Sequence, residues 1–470
     1  MKIIKNVLIL TSMFVIFMTV QSSLAQQITT TDLGTLGGPH TYGRAFNDLG
    51  QVAGASAISS SMPYAYHCFL WTKETGMRDL GNLGGDSCSP WAMNNNGQIV
   101  GISSLPNSIS RAFFWSEETG MVDLGFDRDF VDINDLGQAV GEAIFWTYQE
   151  GIKYLGTLGG FYTRAHAINN SGEVVGSSEL NSGFSRGFRW TEEGGMENLG
   201  TSGGNYSFAV AINEVGQIAG HSATGSGYDQ HAVLWTPGIG MQDLGTLGGG
   251  YSSVAVRKGL NDMGQVVGLS TTASSGTHAF LRTPEIGMRD LGTLGGDWSE
   301  AFAVNNLGQV VGYSEAANGE LHAFFWSEET GMIDLNTLGG YSSIAFDIND
   351  SGQIMGNSTF SPPYETHAVL WTVNVTPPTP QEQIDSIITN LNSLVDSATL
   401  NNGQGNSLVS KLEAVKQQLD KTNIIPACNL LQAFINQVMA FMSGEEPMLT
   451  EAEGQPLIDA ANSLVSELSG

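Results

Sequence analysis

Apolar residues between positions 28 and 372 come in runs of four to six, separated by stretches rich in Gly, Asn, Asp and Ser. In one stretch the runs are "AFAVN" (301–305), "QVVGYS" (309–314), "HAFFW" (322–326) and "MIDL" (332–335). Runs this short, bounded by turn residues and enriched in β-branched and aromatic side chains, predict strands rather than helices. The turn between the first two is N-x-x-G, whose Gly supplies the positive φ that a tight hairpin needs. A variable loop leads to the third strand. The loop "SEETGM" leads to the fourth, with Gly always five positions after the Trp slot in the seven internal copies, as one hairpin register demands.

The pattern repeats. "DLGTLGG" or a relative has its first Leu at 33, 80, 124, 155, 199, 244, 291 and 335, spaced by 47, 44, 31, 44, 45, 47 and 44 residues. "IN-x-x-GQVVG" has its Asn at 47, 94, 134, 169, 213, 261, 305 and 349. "HAFLWT" supplies Trp71, Trp115, Trp146, Trp190, Trp235, Trp326 and Trp371, with Arg282 in the remaining slot. Each phrase counts to eight. The short third unit keeps "FVDIN", "GQAVGE", "AIFW" and "IKYL" and loses only its variable loop, so the strands are the invariant part. Four strands at this period fit propeller blades.

The two ends are complementary. The last unit stops at "HAVLWT" (367–372) without a fourth strand, and "ITTTDL" (28–33) is a fourth strand without the other three. A strand lent by the head to the tail closes a ring, whereas an open solenoid needs capping units. The expected fold class is therefore mainly β: an eight-bladed β-propeller of four-stranded blades over residues 26–372, its N-terminal strand closing the last blade. A seven-bladed ring with one displaced unit and a solenoid remain alternatives.

"HAFLW", "GMxDLGTLGG" and "AxAINxxGQVVG", recurring in fixed order over about residues 27–372, resemble the HAF family of bacterial extracellular repeats. The resemblance implies a secreted repeat protein and attaches no reaction to it.

Outside the repeats the pattern changes. Lys2 and Lys5 precede the apolar run "VLILTSMFVIFMTV", and small residues stand at Ser23 and Ala25; residues 1–25 read as an export signal cleaved near Ala25. "VNVTPPTP" (373–380) reads as a Pro-rich spacer. Beyond it, Ile384, Ile387, Ile388, Leu391, Leu394 and Val395 fall at helical spacing, "NNGQGN" (401–406) interrupts, and Leu408, Leu412, Val415 and Leu419 resume it. Leu431, Phe434, Ile435, Val438 and Met442 form a third stripe ending near Gly444. Thr450 and Glu453 have capping-box spacing before a fourth helix, although Pro456 argues for a later start. "CNLLQAFINQVMAF" and "LTEAEGQPLIDAANSLV" resemble the FIMAH domain of bacterial surface and secreted proteins over about residues 381–470, which implies a small helical accessory module.

Composition narrows the partners. Lys and Arg number 18 against 46 Asp and Glu; without Lys2 and Lys5 the balance is 16 − 46 = −30. A chain this acidic repels phosphate backbones, so nucleic acid is not an expected partner. No stretch after the leader reads as long enough to span a bilayer. Three Cys are too few for a disulfide framework. Cys68 and Cys88 stand in different repeats, and the sequence leaves open whether they pair.

His67, His231, His278, His322 and His367 share one repeat position that holds Arg111, Glu142 and Arg186 elsewhere. Spread over separate blades they cannot converge on one ion, and they read as a repeated structural hydrogen bond. The Asx-rich turns lack the alternating carboxylates of a Ca²⁺ loop. No metal, cofactor or catalytic residue is expected. The functional hint is aromatic: Tyr42, Trp91, Tyr162, Tyr206, Tyr251, Trp298 and Tyr341 each follow a Gly-rich crossover. On a propeller's loop face they would ring the mouth of the channel and stack against sugars or anchor a protein; the alternative is that they wedge between blades. The sequence thus favours an exported, non-enzymatic binding or adhesion protein. A hydrolase or lyase acting on extracellular polysaccharide and a structural surface-layer component are the alternatives.

Overall fold

The computed structural model describes residues 28–469 except 62–63, 226–228, 361–364, 374–378, 398 and 444–446. The leader, most of the spacer and Gly444 therefore lie outside the described residues. The chain divides into two compact units, one of strands and one of helices.

The β unit is built of antiparallel four-stranded sheets. Five stand separately, over residues 41–81, 88–123, 130–154, 159–198 and 343–373, the last completed by Ile28–Asp32. A twelve-stranded sheet is three further runs of four (207–243, 248–290 and 295–334), joined where single residues pair in parallel, Gln230 with Tyr251 and Thr277 with Trp298. The lent strand is in place: Ile28–Asp32 pairs antiparallel with Thr366–Val373, Ile28 opposite Val373 and Asp32 opposite Val369. In chain order from residue 41 the sheets are called units one to eight.

Burial explains the sequence pattern. The second and third strands of a unit, such as Val310–Ala316 and Leu321–Ser327, are buried over most of their length. Neighbouring units cover both faces, so they read as continuous apolar runs rather than alternating ones. Phe69, Phe113, Phe188, Phe280 and Phe324 repeat as fully buried core residues. Fourth strands such as Gly240–Asp243 lie at the rim and are largely exposed.

The recurring His and Asp explain each other. Nδ1 of His67, His231 and His278 lies 2.9 Å from a carboxylate oxygen of Asp79, Asp243 and Asp290; for His322 and Asp334 the distance is 2.7 Å. The same Asp caps the following turn, as Asp79 does by accepting the Gly81 N–H at 2.7 Å. His367 and Asp32 make the pair at 2.8 Å across the chain ends.

The repeated Asn does more than close a turn. Its side-chain oxygen accepts the N–H of the residue four on, and its amide nitrogen donates to the backbone carbonyl of the next unit's Asn. These links run from Asn47 to Asn94 (3.1 Å), Asn134 (2.8 Å), Asn169 (2.9 Å), Asn213 (3.1 Å), Asn261 (2.9 Å), Asn305 (2.8 Å) and Asn349 (3.0 Å). Asn349 then donates to the carbonyl of Asp48 at 3.4 Å, back in unit one. All eight Asn are buried, and each buried amide is satisfied by this arrangement.

The Gly of "VVG" answers a steric demand. In the first strand of unit seven one residue is inserted between Ala301 and Ala303, both of which are paired, and Gly312 faces the resulting bulge. A Cβ on Gly312 would stand 1.9 Å from the Glu300 carbonyl oxygen. Gly312→Ala is expected to destabilise the protein by about 2 kcal/mol, since the backbone must part to admit the methyl. Chemical denaturation measures this, and an unchanged midpoint would show that the two strands separate freely.

Cys68 and Cys88 are disulfide-bonded, with Cα atoms 5.2 Å apart. The third strand of unit one and the first of unit two bring together two residues 20 apart in sequence, a proximity that only unit stacking creates.

The helical unit holds α1 (Pro380–Asp396), α2 (Asn402–Leu419), α3 (Ile424–Met442) and α4 (Glu451–Ser469). Several sequence boundaries need correction. The spacer is shorter than 373–380, because Val373 ends a strand and Pro380 opens α1. Most of "NNGQGN" is helical: Asn401 caps α2 through a reciprocal capping box with Gln404, and Gly405 lets Val395 of α1 approach. The fourth helix starts at Glu451 despite Pro456. Thr450 and Glu453 do interact, the Thr450 N–H donating to Glu453 Oε2 at 2.8 Å, and Pro456, the sixth residue of the helix, removes one ladder bond without ending it. Finally, α3 is long and apolar enough by composition to span a bilayer, contrary to the sequence reading; its Leu431, Phe434, Ile435 and Val438 are buried in the core of the helical unit.

Candidate functional site

Crossovers and variable loops share one face of the β unit. The Gly-Gly crossover bonds to the end of the second strand, where the variable loop begins: Gly38 N–H to the Ala57 carbonyl, Gly204 to Ala223, Gly340 to Thr359, each at 2.9 Å. The Asn turns lie at the other end of the same strands.

The seven predicted aromatics do not form one ring. Tyr162, Tyr206, Tyr251 and Trp298 occupy one register position, immediately before Thr163, Ser207, Ser252 and Ser299, which pair with Ser178, Ser222, Ser270 and Ser314. Tyr341 precedes that position by one residue, Tyr42 follows it by two and Trp91 by four. Tyr162 (78% exposed), Tyr341 (52%), Trp298 (39%) and Tyr251 (38%) are open to solvent, and Phe161 beside Tyr162 is almost fully so. Tyr251 and Trp298 straddle seams between units by pairing with Gln230 and Thr277. Tyr42, Trp91 and Tyr206 are half-buried. Tyr42 and Trp91 are brought together around Arg44, whose guanidinium carbon lies 6.0 Å and 5.8 Å from their ring centres.

Of the seven, only Trp91 lines the central cavity, a space of about 690 Å³ to which all eight units contribute. Bulge residues of the first strands reach it, among them Arg44, Trp91, Phe302 and Phe346. So do charged groups that the sequence reading missed: Asp132, Arg257, Lys258, Glu300 and Asp347, with His221.

Burial sets the electrostatics of this wall. It pushes the carboxyls of Asp132 and Asp347 above the usual range, with Arg257 the main opposing influence at Asp132 and Lys258 at Asp347. Burial likewise raises Glu300, which accepts a hydrogen bond from the Tyr313 hydroxyl at 3.0 Å. The Asp347 carboxylate raises Lys258. Burial, with His166 nearby, pushes His221 down to about 4. Among the described residues no group of three His, Cys, Asp or Glu is placed to hold a metal ion.

The missed residues had a signal. Two positions before the repeated Asn stand Ala45, Ala92, Ala167, Ala211 and Ala303, but Asp132 and Asp347 in units three and eight. In unit six the distance from Ser252 to Asn261 is nine residues, against six from Ser299 to Asn305 in unit seven. Departures from a repeat, rather than the repeat itself, marked the cavity.

No known protein family matches the chain, and no curated protein matches it in sequence. Among solved structures it is similar to TolB from Acinetobacter baumannii, with 13% identity and a TM-score of 0.36 over 61% of this chain and 63% of that one. It is also similar to the β-propeller domain of the Trilobed protease from Pyrococcus furiosus (13%, TM-score 0.41, 64% and 99%). A third is an oligogalacturonate lyase in complex with manganese (12%, TM-score 0.42, 74% and 93%). The chain spans less than two thirds of the TolB chain it matches.

Proposed function

We propose that this chain is an exported, non-enzymatic binding protein whose loop face holds an extracellular glycan through exposed aromatic rings. The repeat region is an eight-bladed HAF-type propeller closed by its N-terminal strand, and the helical unit is a FIMAH-like accessory module. Support for the ring comes from the Asn links returning to unit one and from the pairing of Ile28–Asp32 with the last unit. The observation that carries the binding reading is the exposure of Tyr162, Tyr251, Trp298 and Tyr341 on one face. Flat apolar rings beside polar loops suit the faces of sugar rings, and such rings anchor binding when a ligand covers them.

A glycan array with the intact chain tests this. Tyr162→Ala and Trp298→Ala are each expected to weaken binding of a retained glycan by about tenfold, equivalent to about 1.4 kcal/mol per ring. Failure to retain any glycan, or retention indifferent to both changes, refutes the reading.

The cavity favours one competing reading, a hydrolase or lyase acting on polysaccharide. Asp132, Glu300 and Asp347 are carboxyls pushed upward by burial, which is the state a general acid needs. Release of new reducing ends or unsaturated products, lost in Glu300→Gln, would establish the enzyme in place of the binder.

A further inference from the structure

Three departures from the repeat meet in the central cavity. The first is the lengthened first strand of unit six, where residues 256–258 leave the sheet between Ala255 and Gly259, both still bonded to Val267. Arg257 takes a left-handed backbone conformation, φ 69°, which a non-glycine residue adopts only when its surroundings impose it. The others are Asp132 and Asp347, where five units carry Ala.

We propose that residues 256–258 are a cross-cavity tie that links unit six to units two, three, five, seven and eight, with Asp132 and Asp347 as its matching receptors. The Arg257 N–H donates to the Val210 carbonyl in unit five at 2.9 Å. Its guanidinium reaches across the cavity to the carbonyls of Trp91 (2.9 Å) and Val131 (2.6 Å) in units two and three. Those two partners lie 166 and 126 residues away in sequence. The Lys258 carbonyl accepts the Val304 N–H of unit seven at 3.1 Å, and its ammonium stands 4.0 Å from Asp347 of unit eight. Lys258 keeps 57% of its side chain open to the cavity, yet Asp347, Asp48 and Asp132 all act on it electrostatically.

The receptors are placed for this role. Asp132 sits beside Val131, whose carbonyl Arg257 holds, and its Oδ2 accepts the Ile168 N–H at 3.0 Å. Asp347 holds the Ile348 N–H at 2.9 Å with one oxygen and faces Lys258 with the other. Near-identical repeats can stack in more than one register, and a charged contact made by only a few of them distinguishes those few from the rest. Fixing register is the best-supported use of ionic groups inside a fold. The tie also holds the carbonyl of Trp91, the predicted aromatic that faces the cavity.

A double-mutant cycle on the full chain tests the tie. Lys258→Met and Asp347→Ala are each expected to lower the melting midpoint by several degrees, and the double variant to fall no lower than the worse single. Additive losses, or single losses under a degree, overturn the proposal. Should a variant fail to fold, amide exchange in the unaltered protein decides instead. The Arg257 and Val304 amides, bonded into and out of the tie, are expected to exchange with the slow core strands; exchange at the rate of the exposed loops overturns it.

Discussion

Removing residues 28–32 is expected to lower the melting midpoint by on the order of 10 °C, and adding those residues back as a separate peptide is expected to restore most of the loss. Five residues pair with Thr366–Val373, and at about 1 kcal/mol for each backbone hydrogen bond the ladder contributes on the order of 5 kcal/mol. The strand is itself mostly exposed, so apolar burial adds little directly. The greater consequence falls on what it shields. Without it the strand bearing Trp371, fully buried in the intact protein, becomes a free edge with unpaired N–H and carbonyl groups, open to association with another chain. Differential scanning calorimetry with and without the peptide measures the effect. A midpoint unchanged by the truncation would mean that the last unit stands without its fourth strand.

Acid is expected to weaken the fold over a defined window. His221 is held to about 4 by burial, against an ordinary value of 6.5. The unfolded chain therefore binds a proton at this residue that the folded chain refuses. Stability is complete above 6.5, declines as the pH falls from there to about 4, and changes no further at this residue below it. A depression of about two and a half units corresponds to about 3 kcal/mol across the window. His221→Gln should flatten that part of the stability curve, measured by urea denaturation between pH 7 and 4. An equally steep curve in the variant would assign the acid sensitivity to other groups. Asp32 acts lower down. Burial raises it, but the His367 hydrogen bond, the Gly34 N–H and the His367 charge outweigh burial and leave it below 3.8. Its contribution is present above 3.8 and is lost as the pH drops through the lowered value, loosening the same strand that truncation removes.

The strands, their turns, the His slot and the complementary ends were all readable because they recur. A Gly five residues after Trp, or an Asn before x-x-Gly, expresses a local backbone requirement that each unit must meet for itself. The aromatic positions were also visible, but their register was not. Tyr42, Trp91 and Tyr341 follow crossovers as the others do, yet the strand pairings shift them by one to four residues from Tyr162, Tyr206, Tyr251 and Trp298. In the helical unit, Gly405 and Pro456 looked like breakers because propensity is weighed without knowledge of neighbours; close approach of Val395 explains Gly405, and α4 continues through Pro456 at the loss of one ladder bond.

By itself the sequence determined the period, the number of strands in each unit and the lending of the first strand to the last unit, since these follow from short-range turn chemistry repeated along the chain. Tertiary structure alone decided the disulfide between Cys68 and Cys88, the Asn links from unit to unit and the charged cavity gathered around Arg257 and Lys258. Those contacts join residues tens to hundreds of positions apart, and a distance of that kind is set by how the sheets stack, which no local pattern of polar and apolar residues encodes.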